Sequence, residues 1–201
     1  MDKNRRVLIR VVITASILWT PVQTFGFQLN DKLNNLIDSR QNTKITLDKD
    51  KTKVIVFFNF LKGCPIVKKY LPEMRRIKKK YESKALIIII DSSANAELES
   101  KETLKYLVSM DNNFPVVIDY QSELALQLKL TTASEVAVID TRDFSIKYKG
   151  SVDDRVTLNF DRAEAQHRYL EDKINNILDG KDSQYTETEA QGCRINLFQK
   201  K

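Results

Sequence analysis

Glycine is scarce in this chain of 201 residues, at five; proline numbers four, cysteine two and histidine one. With so few glycines there is no glycine-rich loop to cradle a phosphate, which removes the common nucleotide-binding motifs. One histidine, His167, falls short of the several ligands that metal centres gather. It lies in Glu164-Ala165-Gln166-His167-Arg168, which reads as mid-helix and suits a surface or packing role. Two cysteines do not make a disulfide-stapled scaffold. The length suffices for one domain with a core that needs no staples. Neither an internal repeat nor a low-complexity tract is present.

A membrane-length apolar run is missing too. Val11 to Trp19 is apolar over nine residues, too short to span a bilayer unaided. It follows the basic residues Lys3, Arg5 and Arg6 and precedes Thr24-Phe25-Gly26, with small residues where a signal peptidase reads. Residues 1–26 therefore read as a secretory signal peptide, with an uncleaved membrane anchor as the other version; membrane contact is expected only through this segment. The net charge of +6 drops once the leader is removed, because 29 basic residues then face 26 acidic ones. A charge of +3 gives no warrant for nucleic-acid binding. The cluster Arg75, Arg76, Lys78, Lys79 and Lys80 reads as the solvated face of a helix, with a docking patch for an acidic partner or anionic headgroups as the alternative.

What is present centres on Cys64. It follows the strand-like run Val54-Ile55-Val56-Phe57-Phe58-Asn59-Phe60 and opens Pro65 to Tyr81, an amphipathic helical pattern. Pro65 suits the first helical position, so Cys64 is expected at the N-cap. There the helix dipole, unpaired N–H groups and the cations Lys62, Lys68 and Lys69 favour a nucleophilic thiolate. The plain alternative is a small buried hydrophobe. Export would place Cys64 and Cys193 in an oxidising compartment, where the pair is permitted a disulfide worth about 4–5 kcal/mol on the loop-entropy model. Sequence alone does not show that the two meet.

Along the rest of the chain, Leu29 to Ser39 has helical spacing and Thr43 to Leu47 reads as a short strand. The continuous apolar run Ala85 to Ile90 indicates a central strand covered on both faces. A helix is expected over Glu97 to Met110, with Leu98, Leu104, Leu107 and Val108 inward, then a strand over Phe114 to Asp119. Next come a helix over Ser122 to Leu128 and paired strands at Glu135 to Asp140 and Phe144 to Tyr148. Asp161 is expected to cap a long helix to Leu178 that Gly180 closes. Residues 182–201 are polar, without periodicity, and carry Cys193; composition alone makes them a mobile tail. Yet Ile195, Leu197 and Phe198 offer anchors, and a resolving or clamping role for Cys193 predicts that the tail folds back to the N-terminal end of the Cys64 helix in the oxidised state and loosens on reduction. The order predicts an α/β fold with a mixed sheet over residues 27–181.

The residues from Phe58 to Pro72 resemble the redoxin branch of the thioredoxin superfamily, the alkyl hydroperoxide reductase/thiol-specific antioxidant group. The proline eight positions after Cys64 has the spacing of that family's kinked active-site helix. Tyr148-Lys149-Gly150-Ser151-Val152-Asp153-Asp154-Arg155 and Gly192-Cys193-Arg194-Ile195 resemble exported members with a Cys-Pro helix start and a late Gly-Cys. The resemblance implies a thioredoxin-like three-layer sandwich around a central mixed sheet, no cofactor, and thiol–disulfide exchange on a protein or small-molecule disulfide. Cys64 would be the nucleophile and Cys193 the resolving thiol, an external thiol would serve as reductant, and Pro65, Ser134 and Glu135 would line the substrate site.

Three departures stand beside this likeness. Position 67 is Val, so Cys-x-x-Cys is absent. Leu61 stands where peroxiredoxins place a hydroxyl residue, which argues against efficient peroxide reduction. Thr132-Ala133-Ser134-Glu135 stands where the family has a cis-proline, and a trans loop is expected. The rival reading is a non-catalytic binding or structural module in which Cys64 and Cys193 form a permanent clamp or, with His167, a metal site. Asp153-Asp154-Arg155 reads as a hydrogen-bonded turn ahead of a catalytic carboxylate pair.

Overall fold

The computed structural model describes residues 25–198 except 49, 94, 95, 111, 112, 158, 182 and 183. The predicted leader lies outside the described residues up to position 24; its predicted end at 26 falls within the first helix. In chain order the elements are α1 (Phe25–Leu33), β1 (Ile37–Asp38), β2 (Thr43–Lys44), β3 (Val54–Phe60), α2 (Pro65–Lys80), β4 (Ala85–Asp91) and α3 (Ala96–Ser109). Then follow β5 (Val116–Ile118), α4 (Glu123–Gln127), β6 (Val136–Asp140), β7 (Ser145–Gly150), α5 (Tyr169–Leu178) and β8 (Thr186–Glu187). Among the described residues no helix is long and apolar enough to cross a membrane.

Six strands form one sheet in the order β5-β4-β3-β6-β7-β8. β3, β4 and β5 run parallel, β6 pairs antiparallel with β3 and with β7, and β8 joins β7 in parallel. β3 is buried at all seven positions because both faces are covered. Successive side chains point to opposite faces, so Val54, Val56, Phe58 and Phe60 join one core with α2, α3 and α5. Ile55 and Phe57 join the other, with α1 and α4. The result is the expected α/β sandwich of three layers.

Several boundaries differ from expectation. The pattern from Leu29 to Ser39 divides: its helix ends at Leu33, and Ile37–Asp38 forms a hairpin with Thr43–Lys44. That hairpin shields the sheet edge, where Ser39 N–H donates to the Val116 carbonyl at 2.7 Å and Val116 N–H to the Asp38 carboxylate at 3.2 Å. Of the side chains expected inward on α3, Leu107 is fully buried and Leu104 half-buried, whereas Val108 is 64% exposed; the Leu98 side chain lies outside the described residues. Asp161 caps no helix, because it bridges to Val156 within a loop; α5 begins only at Tyr169. Its end matches expectation: Gly180, at φ 68°, donates to Ile177, and Lys181 N–H to Asn176, the paired bonds of a Schellman stop.

Candidate active site

Cys64 lies where β3 passes the chain to α2. Gly63 turns the backbone at φ 86°, a region glycine enters without steric penalty. Cys64, extended at φ −70° and ψ 118°, occupies the N-cap with Pro65 beginning the helix. Ile66, Val67, Tyr70, Leu71, Met74 and Ile77 bury one face of α2, which continues unbroken through Pro72. Cys64 itself is 4% exposed.

Burial pushes the Cys64 thiol up, yet the thiol of Cys193 and the backbone N–H groups of Val67, Cys193 and Ile66 face the sulfur and favour the thiolate. The net effect holds Cys64 below the ordinary thiol value. Its side chain forms no capping hydrogen bond of full geometry, so the helix amides act on it as dipoles. The lysines do not supply this effect. Lys62 pairs with Glu102 and Lys69 with Asp161 at 2.7 Å, and none of the three is a partner of the sulfur. Cys193 shows the converse shift: its hydrogen bond to Cys64, then burial, then the Cys64 charge push it up to about 11. Both sulfurs are free thiols.

The tail folds back to this place, as its apolar residues at 195, 197 and 198 suggest, and it is held there by backbone pairing that its composition did not disclose. Ser134 Oγ donates to the Gln191 carbonyl at 2.8 Å, Ala133 N–H to the Cys193 carbonyl at 2.8 Å, and Ile195 N–H to the Thr131 carbonyl at 3.0 Å. Thr132 and Arg194 thereby form an antiparallel bridge. Ile195, 8% exposed, packs into the core that holds Cys64. A Cβ built at Gly192 would collide with the Ala133 carbonyl, so glycine is required at this crossing. Upstream, Thr188 N–H donates to the Lys149 carbonyl at 3.1 Å; downstream, Phe198 N–H donates to Ser122 Oγ at 2.9 Å.

A buried polar chain ties these anchors together. Asn59, wholly buried in β3, donates to the Thr132 carbonyl at 2.9 Å and accepts from Ser92 Oγ at 3.1 Å. Ser122 Oγ in turn donates to the Ser92 carbonyl at 2.8 Å. Sequence reasoning passed over Asn59, Ser92 and Ser122. The available signal was Asn59 itself, a lone amide in a seven-residue apolar strand that must find partners when buried.

Of the residues expected to line a substrate site, Pro65 is exposed, whereas Ser134 and Glu135 are buried and occupied. Ser134 adopts a left-handed φ of 72°, and its N–H donates to the Asn59 carbonyl at 2.8 Å. Glu135 accepts from Thr131 N–H at 2.8 Å and pairs with Lys149 at 3.2 Å. Ser134 Oγ meets the tail at Gln191, whereas Glu135 lines, with Lys149 and Gln191, a cavity that runs beside the tail. All described peptide bonds are trans, this loop included.

His167 is not in a helix. It is exposed in the loop before α5 and stacks on Tyr169 with ring centroids 5.7 Å apart. Among the described residues no three His, Cys, Asp or Glu side chains gather as metal ligands, so His167 does not join Cys64 and Cys193. Asp153 and Asp154 act separately. Buried Asp153 accepts from the Tyr70 hydroxyl at 3.0 Å and from Arg155 N–H at 2.9 Å, while Asp154 accepts from the N–H groups of Gln166 and His167 at 2.9 and 3.0 Å. They hold a loop together, as a turn does.

The comparisons agree with this architecture. A solved structure of an uncharacterized conserved protein from Geobacillus kaustophilus is similar at a TM-score of 0.68 and 20% identity, covering 81% of this chain and 87% of that one. A hypothetical protein from Sinorhizobium meliloti 1021 gives 0.67 and 20%, with 81% and 89% covered. A thioredoxin-like superfamily protein gives 0.53 and 18%, with 71% and 93% covered. No curated protein matches the chain. These likenesses establish a thioredoxin-like fold. The Redoxin family model matches residues 27–167, which takes in Cys64 and stops before α5 and the tail. The chain belongs to the Redoxin family.

Proposed function

We propose that this redoxin is an exported thiol–disulfide oxidoreductase with Cys64 as nucleophile and Cys193 as resolving thiol. The observation that carries the reading is the thiol pair at the head of α2, one sulfur biased toward thiolate and the other held protonated against it. The Cys64 thiolate attacks a disulfide of a protein or small molecule. One Cys64–substrate bond forms, the substrate disulfide breaks, and the departing thiolate takes a proton. Once Cys64 is bonded it carries no negative charge, so the principal causes that raise Cys193 disappear. Cys193 then loses its proton more readily, attacks the Cys64 sulfur and releases the second substrate thiol. Two electrons and two protons pass to the substrate, and an external dithiol restores the pair. Export rests on the pattern of residues 1–26.

The near-complete burial of Cys64 favours one other reading, a structural module clamped by the two cysteines. Trapping separates the two. When the reduced chain meets the aryl disulfide dithiobis(nitrobenzoate), wild type should end as an intramolecular disulfide free of label. Cys193→Ala should accumulate a labelled adduct on Cys64, read by mass spectrometry. An unreactive Cys64 in both forms contradicts exchange chemistry.

A further inference from the structure

We infer that the backbone edge at 131–134 is a docking slot for an extended segment of the form Gly-Cys-x-aliphatic, filled by the chain's own tail and taken over by a protein disulfide substrate. This deepens the exchange reading and rests on it. The slot is defined by its present occupant. The Ala133 N–H donor and the Thr131 carbonyl acceptor meet Cys193 and Ile195, alternate residues of an extended strand. Such main-chain pairing is indifferent to side chains, and specificity then comes from the pockets beside it. Two are present. The Ala133 carbonyl crowds the residue before the cysteine, where only glycine fits. The core receives the residue two places after it, here Ile195.

Two consequences follow. A protein substrate that delivers a cysteine to Cys64 along this edge must first displace residues 191–195, because those residues cover Cys64 and occupy the same donor and acceptor. Cys193 can therefore resolve the mixed disulfide only after the substrate strand has left the edge while still bonded to Cys64. The tail is thus resolving arm and competitor by turns. The slot also lies at the carboxyl end of β3, where Asn59 donates to the Thr132 carbonyl and accepts from Ser134 N–H, the side of an open α/β sheet where ligands bind.

The test uses the full chain carrying Cys193→Ser, so that adducts stay on Cys64. Two pentapeptides, Gln-Gly-Cys-Arg-Ile and Gln-Val-Cys-Arg-Ile, are activated as thionitrobenzoate disulfides, and release of the coloured thiol reports exchange. The glycine peptide should react at least about tenfold faster, since an overpacked contact costs roughly 1–3 kcal/mol and about 1.4 kcal/mol is tenfold. Adding Gly192→Val, which ejects the tail, should speed the glycine peptide further; Ile195→Ser serves if that variant fails to fold. Equal rates for the two peptides, or no gain on ejecting the tail, overturn the slot. A redox-independent arm keeps the readings apart: fluorescent Gln-Gly-Ser-Arg-Ile should bind the tail-ejected chain and be displaced by its unlabelled form. Binding without exchange upholds the slot and contradicts the oxidoreductase, whereas exchange without binding or peptide preference does the reverse.

Discussion

The helix that carries Cys64 and the tail that carries Cys193 reach the same site by opposite means. α2 is held by apolar burial along one face, from Ile66 to Ile77, and each such side chain contributes about 1.5–3 kcal/mol. The tail contributes one buried anchor, Ile195, and a set of backbone hydrogen bonds worth about 0.5–1.5 kcal/mol each. A nucleophile fixed to the core and a partner held by a shallow, separable contact is the division of labour that exchange requires. On the proposed exchange, the nucleophile would keep its environment while the partner leaves and returns.

Core substitution should give the largest effect. Leu71→Ala, at a fully buried position in α2, should cost about 2–5 kcal/mol of global stability in denaturant unfolding. Ile195→Ala should leave the body's transition much less affected and instead speed proteolysis of the tail. A global loss from Ile195→Ala matching that from Leu71→Ala would show that tail and body are one cooperative unit, and the comparison would fail.

Next in size is Asn59→Ala. It leaves the Thr132 carbonyl and the Ser92 hydroxyl without their buried partner, at about 1–3 kcal/mol. Because Asn59 backs the loop on which the tail rests, hydrogen exchange at Cys193 and Ile195 should quicken before that of β4. Unchanged exchange in the tail would remove Asn59 from the anchoring chain.

A smaller effect concerns pH. Alkylation follows the thiolate, so in wild type its rate should rise through a midpoint below the roughly 8.5 of a free thiol. Cys193→Ala removes the leading favourable partner of the Cys64 thiolate, and the midpoint should move up. The charge-assisted form of the sulfur–sulfur hydrogen bond exists between the lowered Cys64 value and the raised Cys193 value of about 11; below this window two neutral thiols share only a weak bond, and above it two thiolates repel. A midpoint unmoved by Cys193→Ala would return the credit to the helix amides alone.

The smallest expected signal is hydroperoxide turnover. Leu61 is a half-buried aliphatic side chain packed on the core and offers no hydroxyl to orient a peroxide. Peroxide consumption should stay near background. Rapid consumption abolished by Cys64→Ser would show that the missing hydroxyl does not matter.

The same division explains what could be read from the residues. β3, α2, β4 and the end of α5 follow from apolar patterning, Pro65 and Gly180, signals carried within each segment. The placement of Cys64 at the N-cap was legible for that reason. For the tail, Ile195 was legible as an anchor, but the pairing with residues 131–134 was not, because backbone hydrogen bonds leave no periodicity behind and Gly192 gains meaning only beside Ala133. The segment from Asp161 to Arg168 misled in the opposite direction: its composition suits a helix, but Asp154 takes the N–H groups of Gln166 and His167, and a bridge from Val156 holds Asp161 in the loop.

The central claim, that Cys64 and Cys193 form an exchanging pair, is tested most directly by the reduction potential of the purified chain, equilibrated in thiol buffers with the pairing confirmed by peptide mapping. An exchanging pair should show a Cys64–Cys193 disulfide with a potential between about −120 and −270 mV. A value below about −300 mV, or two thiols that do not pair under oxidising buffer, would contradict it.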